Sequence, residues 1–370
     1  PKSWPNLSAE EDRAITPKPY ELVTTQTSVV RPKPGGPTTV MVMHESKKPR
    51  PTYLLKRGRY DQPDKSTRLQ PAVPQSLGSI PAGEPNTRLG LARWLVAPSN
   101  PLTSRVIVNR YWQHFFGVGL VKTSENFGVQ GQHPSHPQLL DWLATEFIRN
   151  KWNVKAMHRL IVTSATYRQS SAVSPKLLAR DPENRLLARG SRRRLSGSVI
   201  RDQALAISGL LVEVQGGRSV KPYMPPGLWR SISNAKYVQE HGDNLYRRSL
   251  YTYWRRTVPP PTMMVFNAAE REVCIVRKEQ TNSPLQALTM MNNITFVEAS
   301  RLMAERMLRE GGDRTGSQLA FGFRLATSRF PTKDEAKIIG EVHQQFRDRY
   351  RNDPTAANAL LGVGEFRRDP

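Results

Sequence analysis

The spacing of apolar residues changes along this chain of 370 residues. From Asn86 onward they recur every three to four positions, the period of a helix with one buried face. In "SHPQLLDWLATEFIRN" Leu139, Leu140, Leu143, Phe147 and Ile148 form one stripe. In "NVKAMHRLIVTSATY" Val154, Met157, Leu160 and Ile161 form another. Similar runs start at Asn86 ("NTRLGLARWLV"), Asn100 ("NPLTSRVIVNRYWQHFFG"), Ser198 ("SVIRDQALAISGLL"), Ser283 ("SPLQALTMMNNITFVEASRLMAERML") and Thr332 ("TKDEAKIIGEVHQQF"). Start signals accompany them. Asn100 precedes Pro101, a cap followed by a first-turn proline. Ser135/Gln138, Ser283/Gln286 and Thr332/Glu335 stand at capping-box spacing. The pattern predicts seven helices and no repeat of fixed period.

Residues 1–85 read differently. Pro and Gly are too dense for helices in "VVRPKPGGPTT". The runs Thr38–Glu45 and Pro51–Tyr60 are β-rich and predict a hairpin within 38–60. Pro71–Pro85 reads as a linker. Period two returns at Leu245–Pro261, "LYRRSLYTYWRRTVPPP". As a strand, one face carries Arg247, Tyr251, Tyr253 and Arg255; the other carries Tyr246, Arg248, Trp254 and Arg256. The expected fold is mainly α with a small β component (α+β). It comprises an irregular N-terminal segment (1–85), an α-rich domain (86–350) and a C-terminal tail (351–370).

Charge adds a question. Lys and Arg total 55 against 31 acidic residues, a formal charge of +24. That excess raises nucleic acid or another anionic partner. The basic residues are 39 Arg and 16 Lys, spread through apolar segments such as Phe321–Phe330. Scattered Arg fits fixed, bidentate pairing better than a solvated basic tail. Nucleic acid is therefore the weakest of the readings kept. No apolar run is long enough for a membrane helix. The single cysteine, Cys274, excludes a disulfide within the chain and a Cys-based zinc site. Its alternation with Val273, Ile275 and Val276 predicts a buried strand. The sequence contains no C-x-x-C-H, G-x-S-x-G, Walker loop or dinucleotide fingerprint. The chain opens on Pro1 without an export signal, as a piece of a longer polypeptide would.

Several blocks in order resemble one known family: "LARWLVAPSNPLTSRVIVNRYWQHFFGVGLVKTSENFG", "HPQLLDWLATEF", "LIVTSATYRQSS", "DPENRLLARG", "IRDQALAISGLL", "KPYMPPGLW", "LYRRSLYTYWRRTVPPP" and "REVCIVRKEQTNSPLQAL". The family is the planctomycete-type domain of unknown function fifteen fifty-three. The resemblance covers about Pro51 to Tyr350. It implies an exported bacterial protein, extracytoplasmic, whose upstream domains are cytochrome-c-like and a second domain of unknown function. Haem is then expected upstream and no cofactor in this chain. The resemblance supplies no activity and no catalytic residues. Asn267 stands where the family pattern has the Asp of F-D-A-P, and Ala269 where it has the Pro.

Three clusters are candidate ligand or partner sites. The first is Arg247, Arg248, Tyr251, Trp254, Arg255 and Arg256, where Arg and aromatics interleave. Exposed, it would stack bases or sugar rings. Buried, its Arg heads would meet Asp202, Glu270 or Glu272. The second is "GQHPSHPQ" with His133 and His136, whose prolines and lack of further ligands argue for a loop over a metal site. The third is "RGSRRRLSGS" with Arg192, Arg193 and Arg194, a basic run before a helix start. His114 and His158 read as helix residues. The leading expectation is a non-catalytic binding or scaffold module that presents an Arg/aromatic surface to a partner domain or a glycan. The alternative is an enzyme, possibly a hydrolase of polysaccharide or ester, with a site around the Arg/Trp strand and the His-Pro loop.

Overall fold

A computed structural model describes residues 41–46, 50–232, 236–255, 257–269, 274–277 and 280–368. It divides into two compact units, residues 1–75 with 79–93, and residues 76–78 with 94–370. Among the described residues, helices dominate and the single sheet has two strands.

In the first unit, β1 (Thr52–Leu55) pairs antiparallel with β2 (Pro63–Leu69). Thr52 faces Leu69, and the register slips between Tyr53 and Leu54 so that Leu55 meets Pro63. The hairpin is thus shifted from the expected 38–60. Residues 41–46 have no regular structure, and Thr38–Val40 lie outside the described residues. The cause is local. Arg57 and Gly58 both adopt positive φ, 52° and 74°, and reverse the chain inside the run read as one strand. The segment that follows the turn becomes the partner.

The second unit holds two apolar cores. The division between the units falls within α1 (Arg88–Leu95), and the first core is built by α2 (Thr103–Phe116), α3 (Pro137–Arg149) and α4 (Val154–Thr163), with α5 (Ala165–Arg168) following. Val108, Trp112, Leu140, Leu143, Phe147 and Ile161 interlock at its centre. Caps set the helix starts. Asn100 Oδ1 accepts from the N–H of Leu102 and Thr103 (3.0 and 3.1 Å), so α2 opens after Pro101. Asn153 Oδ1 accepts from Ala156 N–H at 3.0 Å. The expected box at Ser135 does not form. Its hydroxyl meets His136 Nδ1 and its N–H donates to Leu120 O, which ties the loop to the core instead. Asn109, fully buried, clamps the turn after α2 by accepting from Val121 N–H and donating to Val121 O and Ser124 Oγ.

After α6 (Pro175–Arg180), the second core joins α7 (Gly197–Ser208) to the helix that carries Ala299 and Leu302, one of the later helices. These are α8 (Leu228–Ile232), α9 (Pro261–Val265), α10 (Pro284–Asn292), α11 (Ile294–Glu310), α12 (Thr315–Thr327), α13 (Lys333–Asn352) and α14 (Pro354–Leu361). Leu205, Leu210, Leu245, Tyr246, Ala299 and Leu302 fill its centre. The run read as one helix over 283–308 is two. Asn293 leaves helical geometry at ψ 134°, caps Thr295 N–H and donates to Thr262 Oγ1 at 3.0 Å. The capping boxes at Ser283 and Thr332 are present.

Residues 245–255 do not form the expected strand. Gly242–Leu245 and Ser249–Tyr251 are 3-10 turns. Among the described residues its strand-like pairing is confined to three isolated bridges, Val212 with Arg247, Val220 with Thr252 and Arg255 with Val258. The ladder is replaced by side chains of α7. Arg201 donates to Leu245 O and Arg247 O (2.6 and 2.9 Å), and Asp202 Oδ1 accepts from Ser249 N–H at 2.7 Å. Backbone groups that would pair with a strand are satisfied by one helix face.

Candidate functional site

The Arg/aromatic segment turns its first guanidinium inward. Arg247 is 6% exposed and donates to Val214 O, Gly216 O and Arg218 O (3.0, 2.5 and 3.1 Å). Its plane lies 3.9 Å from the Tyr251 ring, whose hydroxyl accepts from Gly216 N–H. Arg248 is half exposed and lies 3.9 Å from Asp202 Oδ2. Trp254 is half-buried. Arg255 sits 5.0 Å over Trp229, itself buried. Arg256, Glu270 and Glu272 lie outside the described residues. Arg247 is thus a bolt for the 214–218 turn, with both Nη groups on carbonyls.

The same use of Arg recurs in the basic run. Arg193 donates to His114 O. Arg194 reaches Thr281 O at 2.8 Å, Phe266 O at 3.2 Å and Asn267 Oδ1 at 2.5 Å. Arg192 is exposed. Asn267, at φ 54°, also accepts from Thr281 and Gln286, so its side-chain oxygen is a hub for three segments. Arg185, Arg189 and Arg306 take backbone carbonyls in the same way. A guanidinium carries five donors and a carbonyl two lone pairs, so each such pair fixes an irregular segment without a sheet.

His133 is exposed, and His136 is half-buried against Ser135 in the loop that feeds α3. That loop is tied to Leu120 of the first core, while Arg247 follows Leu245 and Tyr246 of the second. Among the described residues no group of three or more His, Cys, Asp or Glu could hold a metal ion. His158 packs edge-on against Tyr111 and Phe115. Cys274 is exposed and lies in no strand, against the expected buried one. Its neighbours Arg271–Val273 lie outside the described residues, so only the exposure of its own thiol is on view. No helix among the described residues is long and apolar enough to cross a membrane.

Two features stand out that the sequence pattern did not flag as sites. The first is Glu298 on α11, with no exposed surface. Its Oε1 accepts from Tyr246 Oη at 2.9 Å, from Tyr223 Oη at 3.4 Å, and from the N–H groups of Glu365 and Phe366 at 2.7 Å each. Burial beside this carboxylate pushes the Tyr223 phenol up to about 12 and raises that of Tyr246 further. The signal lay in the helix period. Glu298 falls between Thr295 and Leu302 on the buried stripe, where a carboxylate needs partners. The second is a groove of about 470 Å³ between α10 and the Tyr223–Pro226 segment. Met224, Pro225, Pro226 and Pro261 form one wall and Leu285, Leu288 and Ile294 the other. The one buried residue of α10 is polar: Gln286, which donates to Val265 O at 2.9 Å. Leu285, Leu288 and Met291 are 57%, 53% and 68% exposed.

Comparison with known proteins places the chain. The PSD1 family model, described as protein of unknown function (DUF1553), matches residues 87–343. No curated protein and no solved structure matches. The matched span takes in α2 to α11, both cores, Glu298 and the α10 groove. It covers well over half of the sequence, and the chain belongs to the DUF1553 family of proteins of unknown function.

Proposed function

We propose that this chain is a binding module without catalysis of its own, part of an exported, cytochrome-linked bacterial polypeptide, and that it docks another domain of that polypeptide on the apolar face of α10. The observation that carries this reading is the inverted helix. A surface helix buries its apolar stripe and shows its polar one. The α10 helix is fastened through Gln286 and leaves Leu285, Leu288 and Met291 exposed beside a proline-walled groove. Contiguous exposed apolar side chains around a groove mark an interaction surface.

The Arg/aromatic segment supports a glycan or nucleic-acid surface less well. The Arg247 head is spent on carbonyls, and Trp229, the ring under Arg255, is 6% exposed. An extracytoplasmic location, upstream cytochrome-c-like and second unknown-function domains, and haem held there rather than here follow from the family context and complete the proposal.

The test is binding of the separately produced upstream domains to this chain. Leu288→Asp is expected to weaken that binding at least tenfold while the melting temperature stays within a degree or two, because Leu288 is exposed. Unchanged affinity, or no binding by the unsubstituted chain, removes the reading.

A further inference from the structure

The residues after α14 are held chiefly by side chains of α11. Residues 364–366 are exposed along their outer side and give no residue to either apolar core. They are bound through their backbone. Two consecutive N–H groups, Glu365 and Phe366, donate to Glu298 Oε1 at 2.7 Å. The carbonyl of Phe366 accepts from Arg301 Nη2 at 2.7 Å. The side chains add two contacts. The Glu365 carboxylate accepts from Gly242 N–H at 3.0 Å and meets His241 Nδ1 at 2.7 Å. The Phe366 ring packs edge-on against Tyr246 with centroids 5.9 Å apart. Gly364 lies at φ +94°, and a Cβ there would sit 2.3 Å from the Glu298 carboxylate. Backbone recognition with added contacts to an acidic and an aromatic side chain is how clefts hold extended peptides.

The site is also larger in capacity than its occupant. Glu298 Oε2 and Arg301 Nε are both buried and without a partner. One cleft thus keeps both a donor and an acceptor that its present occupant does not use, and a longer or differently seated peptide could meet them.

We infer that Glu298, Arg301, Tyr246 and the 241–242 turn form a peptide-recognition site, and that Gly364–Phe366 is its resident, displaceable ligand. The class of ligand is an extended peptide with glycine, then an acidic residue, then an aromatic one. The inference stands apart from the docking face on α10 and does not rest on it.

The probe is a fluorescent peptide of residues 361–368, LGVGEFRR, titrated onto the full chain and onto its Gly364→Ala variant. Alanine at 364 would place a methyl group 2.3 Å from the Glu298 carboxylate, too close for the resident segment to stay seated, and changes no residue of the cleft wall itself. The peptide is expected to bind the variant at least tenfold tighter than the unsubstituted chain. A peptide with Glu and Phe replaced by alanine is expected not to bind. Equal or absent binding to a folded variant overturns the proposal. So does a variant that fails to fold, since the segment would then be part of the core. Hydrogen exchange on the unsubstituted chain gives an independent reading. The amides of Glu365 and Phe366 should open well before those of α11; exchange only through global unfolding overturns the idea as well.

Discussion

The α2–α4 bundle and the 209–266 segment solve one problem by opposite means. In the bundle, helices pair their own backbone groups, and the sequence has only to supply apolar faces: Val108, Leu140, Leu143 and Ile161 do so. Among the described residues of 209–266 little of the backbone is regular, and carbonyls are left for side chains to satisfy. Arg201 and Arg247 take five of them, and Arg306 takes that of Ile207 at the edge of the segment. The lesson concerns the charge. A formal +24 suggests an anionic partner, yet many of these cations act as internal donors. Arg suits that use because its fork reaches two carbonyls at once and keeps its charge when buried. Even Arg201, which burial pushes down to about 10, stays a cation at neutral pH.

The comparison breaks first at Arg201. Arg201→Met keeps volume and removes every donor, leaving Leu245 O and Arg247 O inside the core. The expected loss is about 4 kcal/mol, the cost of stranding buried polar partners. Leu140→Ala in the bundle is expected to cost about 3 kcal/mol through cavity formation. Urea unfolding of both variants checks the pair. A loss below about 1 kcal/mol for Arg201→Met would mean that water replaces the guanidinium easily. The Arg–carbonyl account of the irregular region would then fail.

Legibility in the sequence follows the same line. The bundle could be read because helix period and caps such as Asn100 and Asn153 are local, although the box read at Ser135 is spent on the loop instead. The failures sit where a tertiary partner decides. Asn293 breaks a helical pattern only because Thr262 is there to receive its amide. The aromatic alternation of 245–256 has every strand propensity, but Arg201 and Asp202 reach its backbone first. Of the candidate residues, Arg192, Arg248 and His133 keep exposed heads, whereas Arg193, Arg194 and Arg247 are latches. Glu298 was readable in principle, as an acid on a buried stripe. Its partners were not, since Tyr223, Tyr246 and Glu365 come from three distant segments.

A second difference between the regions appears at high pH. Burial raises the phenols of Tyr223, Tyr237 and Tyr246, all near or within the irregular segment. A raised folded value gives stability that is whole below the unfolded value of about 10 and is lost as pH climbs beyond it. Arg201 contributes with the opposite sign. Its lowered value means that the unfolded chain holds the proton longer, so its contribution rises with pH above about 10. Three phenols outweigh one guanidinium, and stability is expected to fall steeply above pH ~10. Phenolate absorbance should show a step that coincides with unfolding, and Tyr246→Phe should shrink it. A smooth titration of all tyrosines with the fold intact would show that these phenols are open to solvent.

The smallest effect gives the finest contrast, because it uses the same residue type in the other region. Arg105 on α2 donates to Asp141 on α3 at 2.7 Å, and the two side chains are 36% and 55% exposed. Water competes for both groups, so Asp141→Asn is expected to cost less than about 1 kcal/mol. Salt should erase that difference, since the screening length falls to roughly 3 Å at 1 M. The loss from Arg201→Met should persist at the same salt, because no solvent reaches the carbonyls that the guanidinium serves. Unfolding midpoints of the two variants at low and high salt decide it. If the Arg201 loss also vanished in salt, its role would be that of an ion pair with Asp202, at 3.8 Å, rather than that of a carbonyl donor.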